Sequence, residues 1–500
     1  MSRRDDDDPG LPLKLWPCSN GEFVPPPLDT FRREAMRRAR QLSDDAARRL
    51  GWSRRRFLRS SCGLAAGLVA LQSCSDDQAA SGGAPSTTAR RAPGTSGAAQ
   101  PPTTPGGTFS VPPEAVTEPE VATTVVRATE AVIDVQNHFL DYELHPEGTD
   151  FGSGFPQASC GEADARDCFS VGWWSELVFR QSDTAMAVLS AIPVVGEANP
   201  LSIDAMERGR AVANELCGDE RVLIQAQAVP DVGPIDAALE AMAAVAEFHQ
   251  LSGWKVYTHS PNGWFLDDHD PDLPAVGEAF LAHVEAIGPP VVAVHKGLAG
   301  GSQYASPVDI GPAAARHPGI SFLVYHSGFE HAVHEGPYDP DGGGVDRLVR
   351  SLADTGLAPG SNVYAELGST WRRVMGDPDQ AAHVLGKLLL AVGEDNVLWG
   401  TDSIWYGSPQ DQIAALRSFE IAPQLQEQFG YPALTPEVKA KILGGNAARL
   451  LGVEPPAAAC TPPGEGDAAG EESALGNVTL GPVSRRDVLR AFVSEHPWVV

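Results

Sequence analysis

Three apolar runs, Val291-Val292-Ala293-Val294-His295, Phe322-Leu323-Val324-Tyr325-His326 and Val397-Leu398-Trp399-Gly400-Thr401-Asp402, each end on a side chain that can bind a cation or move a proton. Short, Val-rich runs with polar ends read as strands buried on both faces of a parallel sheet. Working outward, eight such runs occur, at 131–136, 185–192, 221–229, 252–258, 290–295, 320–326, 362–367 and 396–402, with longer amphipathic segments between them. That alternation is a series of βα units, and the fold it predicts is α/β, a (β/α)8 TIM barrel. All strand C-termini of such a barrel open on one face, so His295, His326 and Asp402 are expected to converge on one mouth. A single histidine after a strand usually packs or sits in a loop. Imidazoles and a carboxylate arriving together from different strands supply the N/O donor set of zinc or a similar first-row ion.

The chain has 500 residues with 37 basic and 65 acidic side chains, a formal charge of −28. A surface of that sign excludes nucleic acid and anionic membranes as electrostatic partners. Four segments are expected: a leader over 1–74, a disordered linker over 75–120, the barrel over 121–455 and a tail over 456–500. The linker expectation rests on a run rich in Ala, Gly, Ser, Thr and Pro, which buries too little surface to fold. Within the tail, 484–493 has the pattern of a terminal helix.

In the leader, Ser53-Arg54-Arg55-Arg56-Phe57-Leu58-Arg59 precedes a short apolar stretch, 63–71. The stretch is too short for a membrane span and reads as the apolar part of an export signal. Paired arginines ahead of Phe-Leu resemble the twin-arginine signal, which implies the twin-arginine export machinery as a partner and an exported, periplasmic or surface-tethered protein. Leu71-Gln72-Ser73-Cys74 resembles a lipobox, so Cys74 is a candidate lipid anchor, with ordinary cleavage or none as the alternatives. Cys160 and Cys168 bracket a small loop and are candidates for a disulfide, which an oxidising exterior allows.

The landmarks Ile133-Asp134-Val135-Gln136-Asn137-His138, Gly253-Trp254-Lys255-Val256-Tyr257, the two strand-end histidines, Trp399-Gly400-Thr401-Asp402-Ser403 and the closing 442–451 run occur in a fixed order. Together they resemble the amidohydrolase-related family, the metal-dependent hydrolase group that includes aminocarboxymuconate-semialdehyde decarboxylase, over about residues 131–453. The family's first strand carries Asp-x-His-x-His, and here Gln136 stands at the first of those histidines. Its amide oxygen is a poorer donor for zinc than imidazole.

The resemblance implies His138, His295 and Asp402 as ligands of one divalent ion, with Gln136 a weaker fourth. Zinc is the expected ion, and manganese or magnesium are the harder alternatives. It implies His326 as the general acid/base, and Asp402 as ligand, water-orienting group or both. Lys255 is expected to bind a substrate anion, with a salt bridge to Glu366 as the structural alternative. The function implied is hydrolysis of a small organic substrate by metal-activated water. Two alternatives stay open: non-oxidative decarboxylation of an aromatic or enol carboxylic acid, and a barrel that binds without turnover. His259, His269, His331 and His334 fall in loops at the same face, and Trp264, Trp405, Trp173 and Trp174 are candidates to line or cover it.

Overall fold

Each apolar run becomes one strand of a parallel barrel in the computed structural model, which describes residues 10–23, 27–80, 106–149, 165–456 and 460. A short strand, β1 (Gly107–Phe109), comes first. The barrel strands follow as β2 (Val132–Asn137), β3 (Thr184–Ser190), β4 (Val222–Gln227), β5 (Gly253–Tyr257), β6 (Val291–His295), β7 (Ser321–Tyr325), β8 (Val363–Glu366) and β9 (Val397–Leu398). They pair in sequence order, all parallel. The ring closes through the parallel bridge Asn137–Ser403 and through Val135 N–H donating to Trp399 O at 3.0 Å. The (β/α)8 expectation is therefore met.

Strand alternation decides what faces inward. On β6, Val292 and Val294 pack with the surrounding helices, whereas Val291 and Ala293 join the inner cluster with Leu323 and Tyr325 of β7. His295 shares the parity of Val291 and Ala293, so it points into the barrel. Lys255 and Tyr257 do the same on β5, where Trp254 and Val256 take the helix side. The helices have ordinary ends. Ser202 caps Ile203–Cys217 by accepting from Ala205 N, and Gly218 ends that helix at φ 77°, a left-handed conformation that glycine adopts without a steric penalty.

Two segments differ from expectation. Of the stretch expected to be a disordered linker, 81–105 lies outside the described residues. From Gly106 onward the chain is ordered: β1 pairs antiparallel with β10 (Phe419–Ile421), and the helix Pro119–Val126 follows. The reason is local. Phe109, Val111, Ala115 and Ala122 interrupt the polar composition and are all buried.

The expected leader folds onto the barrel. Helices Thr30–Leu50, Arg54–Leu58 and Ser61–Ala80 pack together, and Leu64, Ala65, Leu68 and Leu71 share a core cluster with Phe109 and Val111. Ahead of them, Leu11, Leu13, Leu15 and Phe23 are buried as well. No described helix is long and apolar enough to cross a membrane. Cys217 and Cys460 form a disulfide that ties the start of the tail to the barrel, a pairing not anticipated from spacing. Cys168 is also disulfide-bonded, while Cys160 and the 484–493 run lie outside the described residues.

Candidate active site at the barrel mouth

Gln136, His138, Lys255, His295, His326 and Asp402 all reach the same end of the barrel, and all are at least 98% buried. Asp402 sits just past β9, accepts from three side chains and meets a fourth. Its Oδ1 takes Gln136 Nε2 at 3.1 Å and faces His138 Nε2 at 3.3 Å. Its Oδ2 takes Ser369 Oγ at 2.5 Å and Asn20 Nδ2 at 2.9 Å. Burial alone would raise this carboxyl, but the contact with His138 outweighs it and holds the pKa below its ordinary value.

The histidine tautomers follow from their backbone partners, since a carbonyl can only accept. His138 Nδ1 donates to Ser190 O at 2.6 Å, and His326 Nδ1 donates to Gly368 O at 2.7 Å. Each therefore turns its Nε2 toward the mouth, the arrangement that metal-binding and proton-transferring imidazoles share. His326 Nε2 has no hydrogen-bond partner among the described residues. Burial lowers the His326 pKa and so favours the neutral ring, whose bare Nε2 can accept a proton. Glu366 Oε2 accepts from the His326 backbone N–H at 3.0 Å and Oε1 from Gly368 N–H at 2.5 Å, holding the turn that carries the ring. Burial pushes Glu366 up to about 8, so it is mainly a neutral acid at pH 7.

His326 and Asp402 have φ of 65° and 60°. These are left-handed conformations that non-glycine residues adopt at a cost of about 1–3 kcal/mol, and such strain is concentrated at functional sites.

Lys255 is fully buried between Tyr325, whose ring centre lies 3.6 Å from Nζ, and Tyr257 at 4.7 Å. Its Nζ has no hydrogen-bond partner, and no ion pair with Glu366 forms among the described residues. Burial drives its pKa down to about 7, against the opposing pull of Glu366, Asp402 and Glu22.

Gln136 turns its amide nitrogen to Asp402 and leaves Oε1 without a partner, so in this arrangement it orients the aspartate and does not present its oxygen to the His138–Asp402 pair. Among the described residues, one triple of His, Cys, Asp or Glu brings its ligand atoms within 4.8 Å of one another: Glu22, His295 and His326. The expected set is thus divided, with His138, Asp402 and Gln136 in mutual contact and His295 beside Glu22 and His326.

Glu22 and Asn20 were not foreseen. They belong to 10–23, read as part of a leader. The sequence signal was there in Leu11-Pro12-Leu13-Lys14-Leu15-Trp16, too apolar for the charged start of an export signal. Of the loop residues, His259 lies 4.8 Å from His295 between ring centres, and His331 stacks on Phe23 at 5.2 Å. His269 pairs with Asp267 at 2.5 Å. Trp405 stacks on His138 at 6.0 Å, and Trp174 donates to Asn137 Oδ1 at 3.3 Å. Trp264 packs instead against Phe280, 6.0 Å away, in the outer layer. Phe280 belongs to the helix Gly277–Ile287, so Trp264 packs on that helix.

A family model described as amidohydrolase matches residues 133–453. A search of curated proteins finds no match. Among solved structures, 5-carboxyvanillate decarboxylase from Sphingomonas paucimobilis is similar over 65% of this chain and 99% of its own, with 17% identity and a TM-score of 0.38. The Novosphingobium aromaticivorans 5-carboxyvanillate decarboxylase, complexed with manganese and 4-hydroxy-3-methoxy-5-nitrobenzoic acid, matches over 65% of this chain and 96% of its own, with 15% identity and a TM-score of 0.42. For 2,6-dihydroxybenzoate decarboxylase from Rhizobium the coverage is 65% and 99%, the identity 17% and the TM-score 0.37.

Proposed function

Because the chain belongs to the amidohydrolase family, we propose that it is a metal-dependent enzyme that releases carbon dioxide from a small carboxylic acid carrying a neighbouring phenolic or enolic hydroxyl. The observation that carries this reading is the ammonium of Lys255, buried at the barrel mouth with no hydrogen-bond partner, together with the bare Nε2 of His326 at the same end. A buried cation with no direct hydrogen bond or ion pair is costly, and an anionic substrate oxygen supplies the missing partner.

The donor chemistry fits a divalent ion. His138 Nε2, with its proton on the other nitrogen, meets a carboxylate oxygen at 3.3 Å, an approach that a proton or cation must mediate. In this reading His138, His295 and Asp402 hold the ion, and Gln136 steadies Asp402. The mixed nitrogen and oxygen set suits manganese as well as the zinc expected from sequence. When bound, the ion would act as a Lewis acid toward a substrate oxygen.

The side chains then divide the proton work. Neutral His326 takes the hydroxyl proton on Nε2, and Lys255 stabilises the oxyanion so formed. His326 returns the proton to the carbon that bears the carboxylate. The C–C bond breaks, its electron pair collapses into the ring or enolate, and carbon dioxide leaves. The product oxyanion takes up one proton from solvent, so the net change replaces carboxylate by hydrogen with no oxidant required.

Hydrolysis is the second reading, favoured by the same neutral His326, which can equally deprotonate a water. Assaying hydroxybenzoic and enolic carboxylic acids for carbon dioxide, beside esters, lactones and amides for acid release, separates the two. Hydrolysis without carbon dioxide would overturn the decarboxylase reading.

A further inference from the structure

The segment 10–23 lies outside the stretch that matches the family, yet it enters the mouth of the barrel. Lys14 anchors it, with Nζ 2.5 Å from Asp411 Oδ1 and 2.8 Å from Ser408 O, and its backbone N–H 3.0 Å from Asp411 Oδ2. Further along, Asn20 Nδ2 bridges Asp402 Oδ2 and Glu22 Oε1, both at 2.9 Å. Ala299 N–H donates to Glu22 Oε2 at 3.0 Å. The Glu22 carboxylate is therefore held from two sides, and it meets His295 Nε2 at 3.2 Å.

Two further features point to a ligand here. His295 Nδ1 and His326 Nε2 are buried nitrogens with no hydrogen-bond partner. Meanwhile Gln136 offers Asp402 its amide nitrogen, so the strand-one side supplies His138 but no second donor.

We propose that Glu22 is a metal ligand delivered from outside the barrel, which takes up the donor role that Gln136 leaves open and couples ion binding to docking of residues 10–23. The inference rests on the metal reading above. A carboxylate brings a negative charge that an amide lacks, and it suits manganese or zinc in company with imidazole. Since Asn20 orients Glu22 and touches Asp402 at once, an ion at His295 would tie the segment across the mouth.

The test uses the full-length chain and Mn²⁺ or Zn²⁺ alone. Affinities are measured by competition with a chelating dye for wild type, Glu22→Gln and His295→Ala, and amide exchange of residues 10–23 is followed with and without the ion. The expected result is that Glu22→Gln weakens binding by more than about tenfold, at least the loss seen when outer partners of a metal are removed. The ion should slow exchange of the segment in wild type and not in Glu22→Gln. If His295→Ala loses the ion while Glu22→Gln binds it like wild type, the Glu22 assignment is wrong and the metal reading stands. If wild type binds no ion, both fall.

Discussion

His138 Nε2 faces Asp402 Oδ1 across 3.3 Å, and the ring's other nitrogen is committed to Ser190 O at 2.6 Å. This pair joins the first barrel strand to the segment after the last, at the seam where the barrel closes. Replacing Asp402 by Asn removes the charge and keeps the shape. The expected outcome is metal affinity lowered by more than about tenfold with the fold retained, read by metal content and circular dichroism. In wild type, activity should vanish on chelation and return with manganese or zinc.

His326 separates two roles. Its Nε2 is near both Glu22 and His295, yet the reaction proposed above uses it to carry a proton. His326→Gln should lower kcat by about 10²- to 10⁴-fold, the usual contribution of a positioned acid/base. Metal affinity should be retained. A collapse of metal binding in this variant would make His326 a ligand.

Lys255→Met should cost activity and raise stability, because it removes a buried cation without a partner. In the native protein the folded pKa of about 7 lies below the ordinary 10.5. Between these values the unfolded chain binds a proton that the folded chain does not, so this group's penalty is largest below pH 7 and fades as pH rises toward 10.5. The variant should be more stable by about 1–4 kcal/mol at pH 7, with the advantage shrinking at higher pH. Urea unfolding at several pH values measures it.

Gly400→Ala tests how tightly the closing seam is packed. A Cβ there would run into Glu366 Oε1 and come within 3.3 Å of Gln136 Cβ. Overpacking of a buried site costs about 1–3 kcal/mol. We expect that loss in thermal unfolding, together with weakened activity, because both displaced side chains hold site residues.

Export has a separate test. If residues 53–71 act as a twin-arginine signal, Arg54→Lys with Arg55→Lys should retain the chain in the cytoplasm, followed by cell fractionation. Normal export of that variant would remove the twin-arginine reading.

Barrel, strand order and mouth were legible in sequence because they depend on local facts. An apolar run such as Val291–His295 must be buried, a strand puts every second side chain on one face, and eight βα units close. That logic placed His295, His326 and Asp402 at one end, and the family resemblance added His138 and Lys255. It could not place Glu22, since nothing in a leader-like stretch says where its apolar residues dock. Only tertiary packing decided that: burial of Leu11, Leu13, Leu15 and Phe23 drew the segment onto the barrel, and the Lys14–Asp411 pair set its register. The same holds for Gln136, whose identity was plain but whose orientation was settled by Asp402, a partner 266 positions away that only barrel closure brings within 3.1 Å.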